Sequence, residues 1–192
     1  MRAATQILLT ARDELASELT RAVSALTALL RMTDARRRIC ARKIAEAARW
    51  RTRLAKHILE RDAELDQNMA RISELVETSP AAELLRKTGI GPVAAARTLV
   101  AWSHPGRVTS EAAFAAMAGV SPIPTSSGST TRHRLNRGGD RQLNCALNAI
   151  AMVRIVHDPN TRAYVEFRRT EGRTDRWDTP AERLRDLLQS AN

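Results

Sequence analysis

Three observations predict an all-α fold for this 192-residue chain. Aromatic residues are only 3 % of it, and Ala, Leu and Arg dominate, which is a helix-forming composition. Over the first third, apolar residues recur at gaps of seven, four and three, the period of a packed helical seam. Turn and cap signals then divide the remainder into shorter helical runs. The length suits one compact domain carrying an extended arm. The expected layout is a helical coiled-coil arm over 1–78, a compact helical domain over 79–176, and a tail over 177–192.

The first helix is read from Leu8, Leu15, Leu19, Ala22, Leu26 and Leu29, with Arg12 as the polar intruder in the stripe. Such a stripe must be covered by another helix, from this chain or a second one. Thr33-Asp34 offers an N-cap for the next helix, expected over about 35–76. Its first half is strongly basic, with Arg36, Arg37, Arg38, Arg42, Lys43, Arg49, Arg51 and Arg53. That face suits either solvent or a phosphate backbone. Its second half returns to four-and-three spacing through Leu54, Ile58, Leu65, Met69, Ile72 and Val76. A hairpin within the chain and a dimer between chains both satisfy the pattern.

Ser79-Pro80 ends the arm, because Ser-Pro favours a turn and proline is tolerated at a first helical position. Two short helices are expected next, over 80–87 and 93–102, separated by Thr88-Gly89-Ile90-Gly91-Pro92. Two glycines allow a tight turn and Ile90 plugs the gap between the helices. This arrangement resembles the helix-hairpin-helix motif, in which amides at the second helix's N-terminus face a DNA phosphate. Lys87 and Arg97 flank it, and small residues at Gly89 and Gly91 would permit close approach. A plain helical hairpin is the alternative reading. Ser103–Arg107 is a turn, Thr109 or Ser110 caps a helix through Met117, and Gly119 closes that helix. A loop follows from Ser121 to Thr131. Asp140 caps a helix that runs from about Leu143 to Val156, Pro159 ends it, and a basic helix occupies 161–170.

A net charge of +10 and a pI near 11.1 favour a polyanionic partner. No run approaches the ~18–20 apolar residues of a spanning helix, so nucleic acid is preferred to a membrane. The N-terminus lacks the pattern of a secretory signal, and Cys40 and Cys145 stand far apart, which suits reduced thiols and a cytoplasmic protein. The four histidines show no metal-ligand spacing with those cysteines, so no metal site is assigned.

The serine cluster Ser126-Ser127-Gly128 reads as a connector when taken alone. Its neighbours suggest more: Arg132, His133 and Arg134 follow, and Arg137 and Arg141 bracket Gly138-Gly139. A serine that attacks a phosphodiester needs a proton acceptor and cations on the phosphoryl oxygens. Arginine forks suit the second role, and His133 could fill the first or bind phosphate. No Asp/Glu cluster is legible as a Mg²⁺ site.

The run GIGPVAAARTLVAWSHPGRVTSEAAFAAMAGVSPIPTSSGSTTRHRLNRGGDRQLNCAL resembles the C-terminal domain of bacterial insertion-sequence transposases of the one-ten, one-sixteen and nine-oh-two families, to which the Piv-type DNA invertases are related. The segment ARDELASELTRAVSALTALLR is similar to the coiled coil such proteins carry between two catalytic domains. The resemblance runs to about Arg176. It implies a DNA recombinase that unites an N-terminal RuvC-like domain, holding Mg²⁺ on an acidic set, with a C-terminal domain whose serine attacks DNA. It also implies oligomers and a guide RNA as partners. By position the nucleophile is Ser127, with Ser126 as the fallback. The implied DNA contacts are Lys87, Gly89, Ile90, Gly91, Arg97, Arg132, His133, Arg134, Arg137 and Arg141. Because the chain opens inside the coiled coil and its tail WDTPAERLRDLLQSAN departs from the family, a truncated transposase is expected, holding no cofactor itself and inactive alone. The alternatives are a non-enzymatic DNA-binding or regulatory fragment that associates with a full-length transposase, and a repair-type helix-hairpin-helix protein.

Overall fold

The computed structural model describes residues 1–35, 41–121, 123–125, 133–134, 136 and 138–171; of these, the side chains of 32–35, 41–44 and 133 are not described. Among the described residues seven helical elements dominate: α1 (Arg2–Ala35), α2 (Ala41–Glu77), a 3₁₀ helix (Pro80–Arg86), α3 (Pro92–Trp102), α4 (Glu111–Met117), α5 (Arg141–His157) and α6 (Pro159–Thr170). The all-α expectation holds apart from a two-residue antiparallel ladder, in which β1 (Ile123–Pro124) pairs with β2 (His133–Arg134). The chain divides into two compact units, residues 3–74 and a second formed by residues 1–2 with the chain from Leu75 on.

In the first unit the side-chain amide of Asn68 donates to the Leu8 carbonyl at 3.2 Å, and Arg61 lies 3.9 Å from Glu18. As one helix advances from 8 to 18, its partner retreats from 68 to 61, so α1 and α2 run antiparallel beside each other. The apolar stripe is therefore covered from within the chain. The polar intruder Arg12 is held by Asp13 at 3.0 Å and is three-quarters buried. Leu9, outside the expected stripe, is among the most buried residues, and Ala22 and Ile72 are buried as expected. The cap expected at Thr33-Asp34 falls within α1, and residues 36–40 lie outside the described residues. Thr33 and Asp34 lie in the last turn of α1, which runs on to Ala35, and α2 is described from Ala41.

In the second unit Ser79 joins α2 to the 3₁₀ helix. Its hydroxyl donates to the Val76 carbonyl at 2.7 Å and accepts from the Ala81 amide at 3.1 Å. The helix that follows is 3₁₀ rather than α and ends one residue early, with Lys87 as its cap. Short segments that lack a full set of i→i−4 bonds commonly tighten in this way. α3 packs on this helix and on α5, and α5 packs on α6. Their core holds Ala101, Ala118, Val120, Leu143, Leu147 and Ile150, with Ile90, Ala94, Phe114 and Met117 against it. Ala95 and Ala96 are fully buried, which lets α3 approach its neighbours closely. Pro159 does more than stop α5: it opens α6, and Asp158 caps both helices at once.

Candidate nucleic-acid interface

Glycine geometry separates the two halves of the Gly89-Ile90-Gly91 turn. Gly89 has φ +85°, and a Cβ there would meet the Arg154 Cγ at 2.9 Å and the Ile150 carbonyl at 3.1 Å. Its lack of a side chain thus serves packing against α5. Ile90 is half-buried against the core, as a plug between helices should be. Gly91 is different. It is the exposed N-cap of α3 without a side-chain cap bond, and a Cβ there would meet nothing within 4 Å. Pro92 has no amide proton, so Val93 and Ala94 carry the helix-start donors that an α-helix leaves unbonded. Their partial positive charge adds to the dipole end. Lys87 is exposed and its carbonyl accepts the Ile90 amide at 3.2 Å, so the cation belongs to the same turn. Arg97 sits farther along α3, half-buried.

The segment from Asn136 to Asn144 has a structural task that its charges did not announce. It satisfies the C-terminal carbonyls of α4. The Asp140 amide donates to Met117 O at 2.7 Å, and the Asn136 and Asn144 side-chain amides donate to Ala116 O and Ala118 O at 3.3 and 2.9 Å. The Val120 and Ser121 amides reach Ala115 O at 2.9 and 3.2 Å. Gly119, at φ +69°, turns the chain and lies directly against Gly139. A Cβ at Gly139 would collide with the Gly119 nitrogen and Cα. Asp140 then caps α5, accepting from the Gln142 and Leu143 amides at 2.9 and 3.0 Å. Asn136 accepts the Gly138 amide at 3.0 Å, which shapes the approach. The signal for this clamp was present in Asn-x-Gly-Gly-Asp, since those residue types favour left-handed turns and caps.

Arg134 and Arg141 are exposed at the two sides of this clamp, Arg134 on the β-ladder and Arg141 as the first residue of α5. The ladder sets Ile123 opposite Arg134 and Pro124 opposite His133. It joins the two ends of the segment that contains the serine pair. Ser126, Ser127, Arg132 and Arg137 lie outside the described residues, as does the His133 side chain. Cys40 lies outside them too, while Cys145 is a free, exposed thiol on α5.

A partly buried polar junction lies behind the α3 turn. Asp158 accepts from the Thr161 hydroxyl, from the Thr161 amide at 3.2 Å and from Arg154 at 3.3 Å. The Thr161 hydroxyl bond holds its carboxyl below the usual carboxylate range, with help from the Thr161 amide and Arg154 and against the opposing effect of burial. The Arg154 stem meanwhile lies against Gly89. Among the described residues no three His, Cys, Asp or Glu side chains converge as a metal site would require, and no helix is long and apolar enough to cross a membrane.

The "Insertion element IS900 uncharacterized 42 kDa protein" of Mycobacterium paratuberculosis is 33 % identical over 124 residues, covering 63 % of this chain and 31 % of that protein. This chain therefore spans about a third of that relative's length. Residues 81–166, from the 3₁₀ helix through most of α6, match the family model described as "Transposase IS116/IS110/IS902 family". The unit that carries the glycine turn, the β-ladder and the clamp is thus similar in sequence to the transposases of that family.

Proposed function

We propose that this chain belongs to the IS116/IS110/IS902 transposases and acts on DNA in the transposition of an insertion sequence. The observation that carries the reading is the open start of α3 within the segment that matches the family: an exposed, uncapped Gly91 with free space around it, in one turn with Lys87. A phosphate there would accept the Val93 and Ala94 amides and meet Lys87, which holds the DNA backbone without reading its sequence. Arg134 and Arg141, with Arg132, His133 and Arg137, supply cations around the serine segment. In this reading Ser127 attacks a phosphodiester to give a serine–phosphate link, with Ser126 as the alternative nucleophile. The Mg²⁺ carboxylates come from a RuvC-like domain, and a guide RNA and further copies of the transposase complete the assembly.

Gly91→Asp separates this role from the fold. An aspartate is a better N-cap than glycine, so the melting temperature should hold or rise slightly. Its carboxylate would repel a phosphate at the same amides, and duplex affinity should fall about tenfold, a loss of ~1.4 kcal/mol. Unchanged duplex binding in anisotropy titrations would remove the α3 turn from the interface. The serine assignment is read from a denaturation-resistant adduct between this chain and DNA, formed with Mg²⁺ when a full-length transposase lacking its own serine supplies the RuvC-like domain; the chain alone should form none. The adduct should vanish in Ser127→Ala and survive in Ser126→Ala; survival in the double variant would refute both.

One observation favours a second reading, a regulatory fragment that binds DNA and associates with a complete transposase. Val23, Leu30 and Leu59 are exposed on α1 and α2, apolar surface that a further helix could cover. Such a chain would bind DNA, form no adduct, and co-purify with the full-length enzyme.

A further inference from the structure

We propose that the exposed face of α2 around Trp50 is a second nucleic-acid site, one that takes an unpaired strand by stacking a base on the indole. Between residues 41 and 61 the helix carries seven Lys or Arg against two Glu. Trp50 stands among them 49 % exposed, a large apolar surface left in water on a basic helix. Its neighbours along the helix toward α1, Leu54 and Ile58, are half-buried, so the indole sits at the flank of the apolar seam.

The geometry around the ring is specific. The Arg53 guanidinium lies over the indole, 5.3 Å from its centroid. That stacking holds the fork in place while its N–H groups remain available to phosphate oxygens. Arg49, Trp50, Arg53, Lys56, His57 and Glu60 line an open hollow of about 760 Å³ on the surface of the helix. Arg49, Arg53 and Lys56 fall on one side of α2 at four- and three-residue spacing, and all three are exposed. Glu60 is the one carboxylate in this lining and His57 is half-buried, so the face as a whole is cationic. An aromatic platform flanked by cations matches the needs of a single strand, whose unstacked bases offer π faces and whose phosphates lie on either side. A duplex keeps its bases stacked internally and gains nothing from the indole. The site lies in the unit formed by residues 3–74 and is independent of the α3 turn.

The test uses the purified full chain with labelled oligo(dT), oligo(U) and a mixed-sequence duplex in anisotropy titrations at one salt concentration. Trp50→Ala should weaken single-strand binding about tenfold and leave duplex binding within about twofold, while Trp50→Phe retains most of the affinity. Arg53→Gln should weaken single-strand binding as well. Helical circular dichroism of each variant checks the fold, since all the changed residues are exposed. Equal losses on oligo(dT) and oligo(U) support stacking and phosphate contact common to both; a loss on one alone supports the site and names its occupant as DNA or RNA. The proposal is overturned if the native chain binds no single strand, if Trp50→Ala leaves single-strand affinity unchanged, or if it weakens the duplex equally. It is also overturned if Trp50→Ala changes only self-association, which would assign the indole to a protein contact.

Discussion

Gly139 shows how little room the second unit leaves at one point. Its Cα lies against the Gly119 backbone, so even a methyl group must displace main chain just after α4 or just before α5. Gly139→Ala is expected to cost about 1–3 kcal/mol, as overpacking of a rigid contact does, and to lower the melting temperature accordingly. A variant that melts with the native chain would show that the clamp yields easily. Asp158 makes a second prediction at this scale. Its carboxyl is held below its ordinary value by Thr161 and Arg154. A depressed folded value means that the ionised form is favoured by folding, so its contribution is complete above the unfolded value of about 3.9. It is lost as pH falls through the lower folded value. Acid titration of stability should therefore be shallower over that window in Asp158→Asn, which carries no proton-linked contribution from this site. A slope identical to that of the native chain would show that the junction contributes nothing to acid sensitivity.

At the scale of elements, the antiparallel pairing of α1 with α2 changes which substitutions report association. Leu19 and Leu26 are half-buried on α1, on the stripe that the sequence assigned to a partner helix. Leu19→Asp should disrupt the hairpin itself and reduce helical circular dichroism. Val23 and Leu30 are 45 % and 44 % exposed and lie seven residues apart, so they share a face. The double variant Val23→Glu/Leu30→Glu should keep its helicity yet shift any higher oligomer to monomer in sedimentation. Retained self-association would place the contact elsewhere. Spacing made the apolar stripe legible in both helices. It could not distinguish a partner within the chain from one outside, because burial on either is chemically alike. The hydrogen bond from Asn68 to Leu8 and the Arg61–Glu18 ion pair make that distinction.

For the molecule as a whole, a charge of +10 is an electrostatic footprint on which any nucleic-acid contact must depend. If about four to six phosphates are neutralised, the logarithm of duplex affinity should fall with the logarithm of salt at a slope of about −4 to −5. Lys87→Gln should reduce that slope by about one and weaken all duplex sequences alike. A slope near zero would exclude phosphate binding as the basis of affinity. Each of the two proposed sites has its own variant and its own ligand form, so the two tests are read separately.

The sequence by itself determined the helical class, the glycine turn, a cap at Thr109 or Ser110, the Asp140 cap and the basic character, because each rests on local chemistry: period, capping oxygens and net charge. The sequence pattern was also enough to place residues 81–166 beside a transposase family. Tertiary structure decided what the same residues are for. Gly89 was read as room for a phosphate and proves to make room for α5; Gly91 keeps the open approach. The Asn136–Asp140 run was read for its arginine and the Asp140 cap, yet Asn136, Gly139 and Asp140, together with Asn144, also lock α4 to α5. Such roles depend on contacts across 20 or more residues, which no local pattern specifies. Trp50 belongs with them: one aromatic on a basic helix becomes a platform only when exposure and the overlying Arg53 are known.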